Sequence, residues 1–263
     1  MNAATVNSMS QNAIYPSLKD RAVFVTGGGS GIGASIVEHF CAQGSKVAFV
    51  DIAREPSEAL VKAISGKGLA APLFIECDIT NIEALQKAIA DAKQKLGPIR
   101  VLVNNAAHDQ RHPIDTVTPE YWDDRYAVNL KHQFFAAQAV YKDMAAAGGG
   151  AIVNLGSTSW VIGQGGMPCY TSAKSAVAGL TRALARDFGP LNIRVNCILP
   201  GWIMTERQLK LWLTPEGEEE LMKRQCLKRK LVPADIARTV LFFAAEDSGA
   251  CTNQNYIVDG GWV

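Results

Sequence analysis

Short apolar runs alternate with longer amphipathic stretches along almost the whole chain. Apolar runs bounded by turn residues predict buried strands, and amphipathic stretches with apolar residues every three or four positions predict helices. This alternation predicts an α/β fold, a doubly wound parallel sheet with helices on both faces and right-handed crossovers. About seven strands are expected, near 22–26, 46–50, 69–76, 100–104, 151–155, 194–198 and 256–258.

One domain accounts for the length of the chain. The 263 residues are 48% hydrophobic, which is enough for a large core, and doubly wound folds often reach this size without splitting. No internal repeat or low-complexity linker marks a boundary, and the GGG at 148–150 is expected to be the turn into a strand. We therefore expect a single domain over residues 18–263, preceded by a flexible polar tail over residues 1–17.

The charge of the chain and its cysteines indicate which partners it lacks and in which cellular compartment it is expected. The net charge of +1 gives no general attraction for nucleic acid or membrane. The basic stretch 223–230 follows the acidic residues 216–220, so a charge-balanced, solvated helix is expected there rather than a nucleic-acid patch. The six cysteines lack paired spacing and predict free thiols. Without a signal-peptide pattern or a membrane-spanning apolar run, a cytoplasmic protein is expected.

Near the amino end, the order of strand, glycine turn, helix and strand predicts a mononucleotide-binding βαβ unit, as in a Rossmann fold. Gly27, Gly31 and Gly33 let the backbone turn sharply, approach a pyrophosphate and pack the helix against the strand. The amino end of the helix adds free N–H groups and partial positive charge. Together these features predict a dinucleotide site.

Asp51, at the end of the second predicted strand, indicates which dinucleotide is bound. A carboxylate about 20 residues after the glycine turn accepts hydrogen bonds from the adenosine ribose and would repel a 2′-phosphate. NAD is therefore favoured over NADP. Arg54 leaves NADP possible if its side chain turns toward the phosphate, although it also suits an ordinary surface arginine.

Tyr170 and Lys174 stand four residues apart in a predicted helix, so their side chains project from consecutive turns. A lysine charge about 4 Å from a phenol lowers the phenol pKa by about three units at an effective dielectric of about 20. The pair therefore predicts a proton-transfer site. The same spacing also arises on solvated helix faces, so the interpretation depends on the other motifs.

With those motifs in order, the chain resembles the classical short-chain dehydrogenase/reductases over 18–263. The segments that carry the resemblance are the TGxxxGxG turn at Thr26 to Gly33, NNAA at Asn104 to Ala107, Asn129 in YAVNLKH, Ser157 in LGSTSW, the YxxxK of Tyr170 and Lys174, and PGWIMT at Pro200 to Thr205. Ala107 departs from the glycine that is usual in the family, which adds only a methyl group.

The resemblance implies four catalytic roles. Tyr170 acts as general base in oxidation, and Ser157 hydrogen-bonds the reacting oxygen. Lys174 binds the nicotinamide ribose and lowers the phenol pKa, while Asn129 holds a water in a proton relay. The cofactor-binding residues that it implies are Gly27, Ser30, Gly31, Ile32, Gly33, Asp51, Asp78, Ile79, Asn105, Tyr170, Lys174, Ile203 and Thr205.

Two of these residues also have a structural interpretation. Asp78 would meet the adenine amino group, but it also suits a helix N-cap before TNIEAL. Asn105 would face the cofactor ribose, but it also suits a loop hydrogen bond. In both cases the two roles are compatible.

The fold alone does not choose a substrate. The loops after strands four, five and six are polar, and Trp160 and Trp202 add flat faces, which favours a small polyol or sugar over a steroid. His108 and His112 lie four apart without a clear third ligand, so no metal is expected. The candidate substrate-binding residues are His108, Gln110, Arg111, Ser157, Ser159, Gln164, Tyr170 and Trp202.

Segments such as AIYPSLK, DQRH, EYWDDR, WLTPEG and DGGWV show a closer resemblance, to the short-chain aldose 1-dehydrogenases that oxidise D-xylose, L-arabinose or D-galactose. It implies hydride transfer from C1 of an aldose to NAD(P)+, an aldonolactone product, a helical substrate lid at about 202–228 and a homotetramer. Two alternatives stay open. One is a secondary-alcohol dehydrogenase or ketone reductase for a non-sugar substrate, and the other is a nucleotide-sensing protein, which has no need of Tyr170 and Lys174.

Overall fold

Runs rich in Val, Ile and Phe form strands because such side chains fit a pleated sheet that is buried on both faces. The structure, a computed structural model, describes residues 13–263, and in that range one sheet has seven strands. They are β1 (Ala22–Thr26), β2 (Lys46–Asp51), β3 (Leu73–Glu76), β4 (Val101–Asn104), β5 (Gly150–Leu155), β6 (Ile193–Pro200) and β7 (Asn255–Val258). The predicted strands are confirmed, but β3 begins later than expected. Gly68 has a positive φ of 76°, and Pro72 has no N–H to pair with β2.

The amphipathic stretches between the strands form helices. In the described range these are α1 (Gly31–Ala42), α2 (Arg54–Gly66), α3 (Ile82–Leu96), α4 (Pro119–Tyr126), a π-helix (Ala127–Lys131), α5 (His132–Ala146), α6 (Pro168–Phe188), α7 (Glu206–Leu211), α8 (Pro215–Arg224) and α9 (Pro233–Ala244). Helices α4, α6, α8 and α9 have proline in the first turn, where its missing N–H costs no helical hydrogen bond.

The strands all run parallel, in the order β3-β2-β1-β4-β5-β6-β7. The chain winds outward from β1 to β3 and then returns to place β4 on the other side of β1. This reversal opens a crevice at the carboxyl ends of β1 and β4, where doubly wound sheets bind ligands. The predicted Rossmann-type α/β sheet is confirmed.

Apolar cores cover both faces of the sheet. Along β1, Val23 and Val25 pack into one core with residues of α1 and α9, whereas Phe24 packs into the other with residues of α3, α5 and α6. Successive strand residues point to opposite faces, so a slip of one residue would exchange the two sets. The register is therefore fixed, and the carboxyl ends of the strands meet at one edge.

Residues 1–12 of the expected tail lie outside the described residues. Within its remainder, the Tyr15 N–H donates to Gln43 Oε1 at 2.8 Å, and Leu18 is buried in the core beside α1. All six cysteines fall in the described range and are free thiols, as predicted. None of the helices over 13–263 combines the length and the apolar character needed to cross a membrane.

Candidate active site

The glycine turn after β1 has no room for side chains. A Cβ on Gly27 would lie 2.7 Å from Ala106 Cα, and one on Gly33 would lie 1.9 Å from the Gly27 carbonyl oxygen. Gly27 and Gly31 also have positive φ values of 66° and 54°, which favour glycine. The next backbone N–H groups belong to the first turn of α1, whose N-cap is the exposed Ser30. The turn is therefore a bare backbone cradle of the kind that holds a pyrophosphate.

Asp51 lies beside this cradle at the end of β2. Its Oδ2 accepts the Gly29 N–H at 2.8 Å, and its Oδ1 accepts the Ala53 N–H at 2.9 Å. Each carboxylate oxygen has a second lone pair, so both can still accept a ribose hydroxyl. Arg54 pairs with Glu76 on β3, so in this structure it is a surface ion-pairing residue.

Hydrogen bonds join the ends of β1 and β4 across the crevice. Thr26 Oγ1 accepts the N–H groups of Asn105 and Ala106, both at 3.1 Å. The Asn105 Nδ2 donates to the carbonyls of Thr26 and Gly27, at 3.1 and 2.8 Å. Asn105 thus makes the loop hydrogen bond that the sequence allowed, and it holds the glycine turn in place. The sequence did not identify Thr26 as a positioning residue, although Thr26 is the first residue of the TGxxxGxG turn.

Asp78 is exposed after β3 and closes a local turn, because its Oδ1 accepts the Thr80 N–H at 2.9 Å and the Thr80 hydroxyl at 2.7 Å. Asn81 caps α3 instead, accepting the Ala84 N–H at 3.1 Å. The helix-cap interpretation of Asp78 is therefore wrong, since the helix begins at the residue after Asn81. Ile79 is buried next to Asp78, at the same edge of the sheet.

The segment after β6 reaches the glycine turn. The Thr205 methyl carbon lies 3.2 Å from the position of a Cβ on Gly31, and the Thr205 hydroxyl caps α7 by accepting the Gln208 N–H at 3.3 Å. Ile203 is buried and forms a parallel bridge with Leu231. The structure thus brings 203–205 to the predicted cofactor site.

Tyr170, Ser157 and Lys174 meet beyond the carboxyl end of β5. Ser157 follows the strand, and the other two lie on α6. Ser157 lies close enough to the Tyr170 phenol to act on its pKa, which it lowers. Lys174 is buried, its Nζ donates to the Leu155 carbonyl at 2.7 Å, and the same atom lies 5.8 Å from the centroid of the phenol ring. Three of the predicted catalytic residues are therefore brought together.

Burial dominates the proton affinities at this site. It raises the pKa of Tyr170, against the hydrogen bond from Ser157 and together with the charge of Asp109. It also lowers the pKa of Lys174 to about 8. The expected fall in the tyrosine pKa is not found, because desolvation of the phenolate dominates and the lysine ammonium is turned toward the Leu155 carbonyl.

Asn129 lies in the π-helix, a wider turn that is frequent at functional sites. Its Oδ1 accepts the His108 N–H at 2.9 Å, and its Nδ2 donates to the carbonyls of Arg125 and His108, at 2.9 and 3.2 Å. The side chain thereby fixes the loop after β4. The proton-relay role of Asn129 stays a prediction.

His132 is a buried residue that the sequence interpretation missed. Its Nε2 lies 3.1 Å from the Ala106 carbonyl, and its Nδ1 has no partner among residues 13–263. Burial lowers the pKa of His132 to about 3, and the charge of Lys174 acts in the same direction. The neutral ring therefore carries its proton on Nε2 and donates to Ala106 behind the site. Its position three residues after Asn129, on the same helical segment, was the sequence signal that could have identified it.

A side-chain network joins the loop after β4 to the expected lid, 202–228, which contains α7 and α8. Asp109 Oδ1 accepts from Arg207 Nε at 3.1 Å, and Asp109 Oδ2 accepts from Gln208 Nε2 at 2.6 Å. Gln208 Oε1 in turn accepts from Trp202 Nε1 at 2.9 Å. Of these residues only Trp202 is among the candidate substrate residues. We call this set of four the lid network.

Two further candidate substrate residues, His108 and Arg111, have different partners. His108 contacts Arg125 and, through Nε2 at 3.4 Å, Arg207 of the lid network. Burial lowers the pKa of His108, and both arginine charges lower it further. Arg111 instead stacks on Trp212, with its guanidinium carbon 4.5 Å from the ring centroid. His108 therefore lies beside the lid network with a lowered pKa, whereas Arg111 stacks on the residue that follows α7.

Hydrogen bonds within the loop after β5 hold it in place. Ser157 Oγ accepts the Ser159 N–H at 3.1 Å, and the Ser159 carbonyl accepts the Gln164 N–H at 2.8 Å. Ser159 Oγ is buried without a partner among the described residues. Gln110 hydrogen-bonds within its own loop. Its Nε2 donates to the Arg111 carbonyl at 3.4 Å, and its carbonyl oxygen lies 3.0 Å from His112 Nδ1. Within residues 13–263, no cluster of three His, Cys, Asp or Glu side chains is placed to bind a metal.

Residues 27–263 match the family model described as enoyl-(acyl carrier protein) reductase. The chain belongs to the short-chain dehydrogenase/reductase family. Membership makes it an oxidoreductase that acts on CH–OH groups with a nicotinamide cofactor. The residues fit such a group, because a Cβ on Gly27 or Gly33 would fill the cradle and Asp51 stands beside it.

Two curated relatives and one solved structure show what this family member is similar to. A probable galactose dehydrogenase of Rhizobium meliloti is 51% identical over 94% of this chain and 96% of its own. A D-xylose 1-dehydrogenase of Caulobacter vibrioides is 47% identical over 95% of this chain and 99% of its own. The crystal structure of a 7α-hydroxysteroid dehydrogenase complexed with NADH covers 94% of this chain and 96% of its own, at 32% identity and a TM-score of 0.88.

Proposed function

We propose that the protein oxidises the C1 hydroxyl of an aldose, of pentose or galactose type, with NAD+ and releases the aldonolactone. The observation that carries the proposal is the polar wall beside Tyr170. Asp109 is near enough to raise the pKa of Tyr170 and is bonded to Arg207 and Gln208 of the lid network. Each Asp109 oxygen keeps a second lone pair to which a sugar hydroxyl can donate, whereas an apolar steroid face would leave these lone pairs buried and unpaired. The galactose and D-xylose dehydrogenases among the relatives support this choice.

The chain handles the proton in this reaction. A bound nicotinamide supplies the acceptor for the hydride that leaves C1. Tyr170 accepts the C1 hydroxyl proton in its phenolate form, which burial disfavours and Ser157 favours. Ser157 would also hold the same substrate oxygen by a hydrogen bond. The O–H electron pair becomes the second bond of the lactone carbonyl. Lys174 binds the ribose and stabilises the phenolate by its charge, and the proton leaves through a water held near Asn129.

NAD is the proposed cofactor because Asp51 stands at the cradle and Arg54 is paired with Glu76. Asp51→Asn keeps one oxygen to accept a backbone N–H but removes the charge that would repel a 2′-phosphate. The ratio of kcat/KM for NADP+ to that for NAD+ should rise about tenfold, which corresponds to about 1.4 kcal/mol. Steady-state kinetics with both cofactors measure this ratio. An equal loss with both would make the carboxylate a structural group only.

The proposal includes a cytoplasmic homotetramer that takes a small-molecule sugar and has no nucleic-acid or membrane partner. Tyr256 and Ile257 on β7, near the carboxyl terminus, are exposed and suit an interface between copies of the chain. Light scattering coupled to size exclusion measures the oligomeric state. A monomer at assay concentration would contradict this part of the proposal.

The decisive experiment measures cofactor reduction with aldoses, their methyl glycosides, the matching polyols and simple secondary alcohols. A methyl glycoside keeps every ring hydroxyl except the one at C1, so it can bind but cannot be oxidised there. We expect turnover of the free sugar and none of its glycoside. If the glycoside or the polyol reacts as fast as the free sugar, C1 is not the reacting carbon. The protein would then be a secondary-alcohol dehydrogenase or ketone reductase.

A further inference from the structure

A cavity of about 290 Å³ lies at the amino ends of the strands, at the edge of the sheet opposite the one that holds Tyr170. The starts of β1, β4, β5 and β6 surround it, together with the turn after α9. The side chains of Arg21, Arg100 and Arg194 line it, beside the backbone of the 148–150 turn. None of these residues takes part in the site described above.

Arg194 is fixed by the protein itself. Its Nη1 donates to the Phe243 carbonyl and to Ser248 Oγ, both at 2.8 Å, and its Nη2 donates to the Ala245 carbonyl at 2.9 Å. These bonds secure the end of α9 and the turn that follows. Arg194 therefore contributes charge to the cavity, while its hydrogen atoms are mostly used.

The other two arginines keep free donors. Arg21 Nε donates to the Ser17 carbonyl at 2.8 Å, and its Nη2 pairs with Glu246. Arg100 Nε donates to the Gly149 carbonyl at 2.7 Å. Among residues 13–263, nothing accepts from Nη1 or Nη2 of Arg100 or from Nη1 of Arg21. The Arg100 guanidinium is thus held through its Nε, and its Nη1 and Nη2 can donate to a ligand.

The charges around the cavity do not balance. Three guanidinium groups face one carboxylate, that of Glu246, which leaves an excess of two positive charges. Burial lowers the pKa of Arg100, and the charge of Arg21 lowers it further, so the two cations are close enough to repel each other. The Glu246 side chain is 73% exposed at the rim, where water screens its pairing with Arg21. An anion between the arginines would relieve this repulsion.

The glycine turn keeps one wall free of side chains. Gly149 has a φ of 125°, and a Cβ on it would lie 2.3 Å from the Asn192 carbonyl oxygen. A Cβ on Gly150 would lie 2.8 Å from the Arg100 carbonyl oxygen. Larger residues are therefore excluded by the packing of the turn, and this wall of the cavity remains bare backbone.

We propose that this cavity binds a phosphate dianion, either free or as the monoester of a small molecule. A guanidinium presents parallel N–H groups that match two phosphate oxygens, and Arg100 offers such a pair. The ligand would tie the starts of β1 and β4 together without touching the catalytic edge of the sheet. Binding should therefore stabilise the fold and leave the kinetic constants for the sugar unchanged.

The test is calorimetric titration of the full chain with inorganic phosphate and with glycerol 3-phosphate, against potassium chloride of equal ionic strength. Thermal unfolding is followed under the same conditions. We expect saturable binding and, at saturation, a Tm rise of about 2–4 °C that chloride does not give. Tighter binding of the ester identifies a monoester site, and equal or weaker binding identifies a free-phosphate site. Absence of saturable binding by both would overturn the proposal.

Three variants make the test specific. Arg100→Gln should weaken phosphate binding at least about tenfold, because it removes the charged donor pair. Glu246→Gln should strengthen binding several-fold, because it removes the competing carboxylate and frees Arg21. Lys62→Gln, an exposed cation on α2, should change nothing. If Glu246→Gln weakens binding or leaves it unchanged, or if folded Arg100→Gln binds like the parent, the proposal is wrong.

Discussion

The dinucleotide side of the crevice and the substrate side are built from different kinds of contact. On the first side, the cradle is made of backbone, and its closest approach, Gly33 against Gly27, lies within one turn of the chain. On the second side, Asp109 reaches Arg207 and Gln208, which lie 98 and 99 positions away, through side chains. Side-chain contacts can change without disturbing the backbone, so a common cofactor site can serve different substrates.

The largest expected effect on activity comes from removing Tyr170, the proposed proton acceptor between the dinucleotide side and the substrate side. Tyr170→Phe should lower kcat by about 10²–10⁴-fold, because it removes the group that takes the C1 hydroxyl proton in the proposed reaction. Cofactor binding should survive, since the glycine cradle and Asp51 are untouched. Stopped-flow kinetics and cofactor fluorescence titration measure the two quantities. Activity within tenfold of the parent would remove Tyr170 from the base role.

The dinucleotide side should be most sensitive to a side chain added at its glycine turn. In Gly33→Ala the new Cβ would meet the Gly27 carbonyl oxygen at 1.9 Å, so α1 must move away from β1. We expect a loss of stability of about 1–3 kcal/mol and at least tenfold weaker cofactor binding. Urea unfolding and fluorescence titration provide the measurements.

Gly179→Ala on α6 is the matched control for that variant. No described atom lies within 4 Å of the added methyl group, and the residue is inside a helix. A gain of about 0.5–1 kcal/mol is expected, because alanine favours the helix over glycine. Equal behaviour of the two alanine variants would show that close packing at Gly33 does not shape the cradle.

The same contrast explains what the sequence could predict. Alternating apolar runs predicted the strands of the sheet and the position of Asp51 at the end of β2. The glycine pattern predicted the sharp turn after β1. The spacing of Tyr170 and Lys174 predicted their shared helix. The lid network could not be predicted, because Asp109 and Arg207 suit many surface positions until the fold brings them together. The direction of the shift in the Tyr170 pKa was also predicted wrongly, because this shift depends on burial rather than on the spacing to Lys174.

Lys174 illustrates the cost of a buried functional charge. Its pKa is lowered by burial to about 8, against 10.5 ordinarily, so at pH 7 the folded protein must bury an ammonium group that the unfolded chain solvates. Lys174→Met should therefore be more stable at pH 7, by about 1–3 kcal/mol. Between pH 8 and 10.5 the folded lysine releases its proton before the unfolded one, so the parent gains stability and the difference shrinks.

Urea unfolding at pH 7 and at pH 10 measures that difference. The control is Lys62→Met on the exposed face of α2, for which no comparable gain is expected. The Lys174 variant should have lost its activity, which separates its stability from its function. Lower stability than the parent at pH 7 would mean that the hydrogen bond to Leu155 outweighs the burial of the charge.

The smallest effect tests whether the substrate side also tunes the chemistry. Asp109 raises the pKa of Tyr170 by its charge, after the larger effect of burial, and it bonds to Arg207 and Gln208. Asp109→Asn removes the charge, so the pKa of Tyr170 should fall and the acid limb of kcat should move to lower pH, by up to about one unit. The sugar KM should rise a few-fold, because Arg207 loses its ion pair. Asp115→Asn, in an exposed part of the same loop, is the control and should change neither quantity. An acid limb that stays in place while KM rises would limit Asp109 to holding Arg207 and Gln208, and the pKa of Tyr170 would then depend on burial and Ser157.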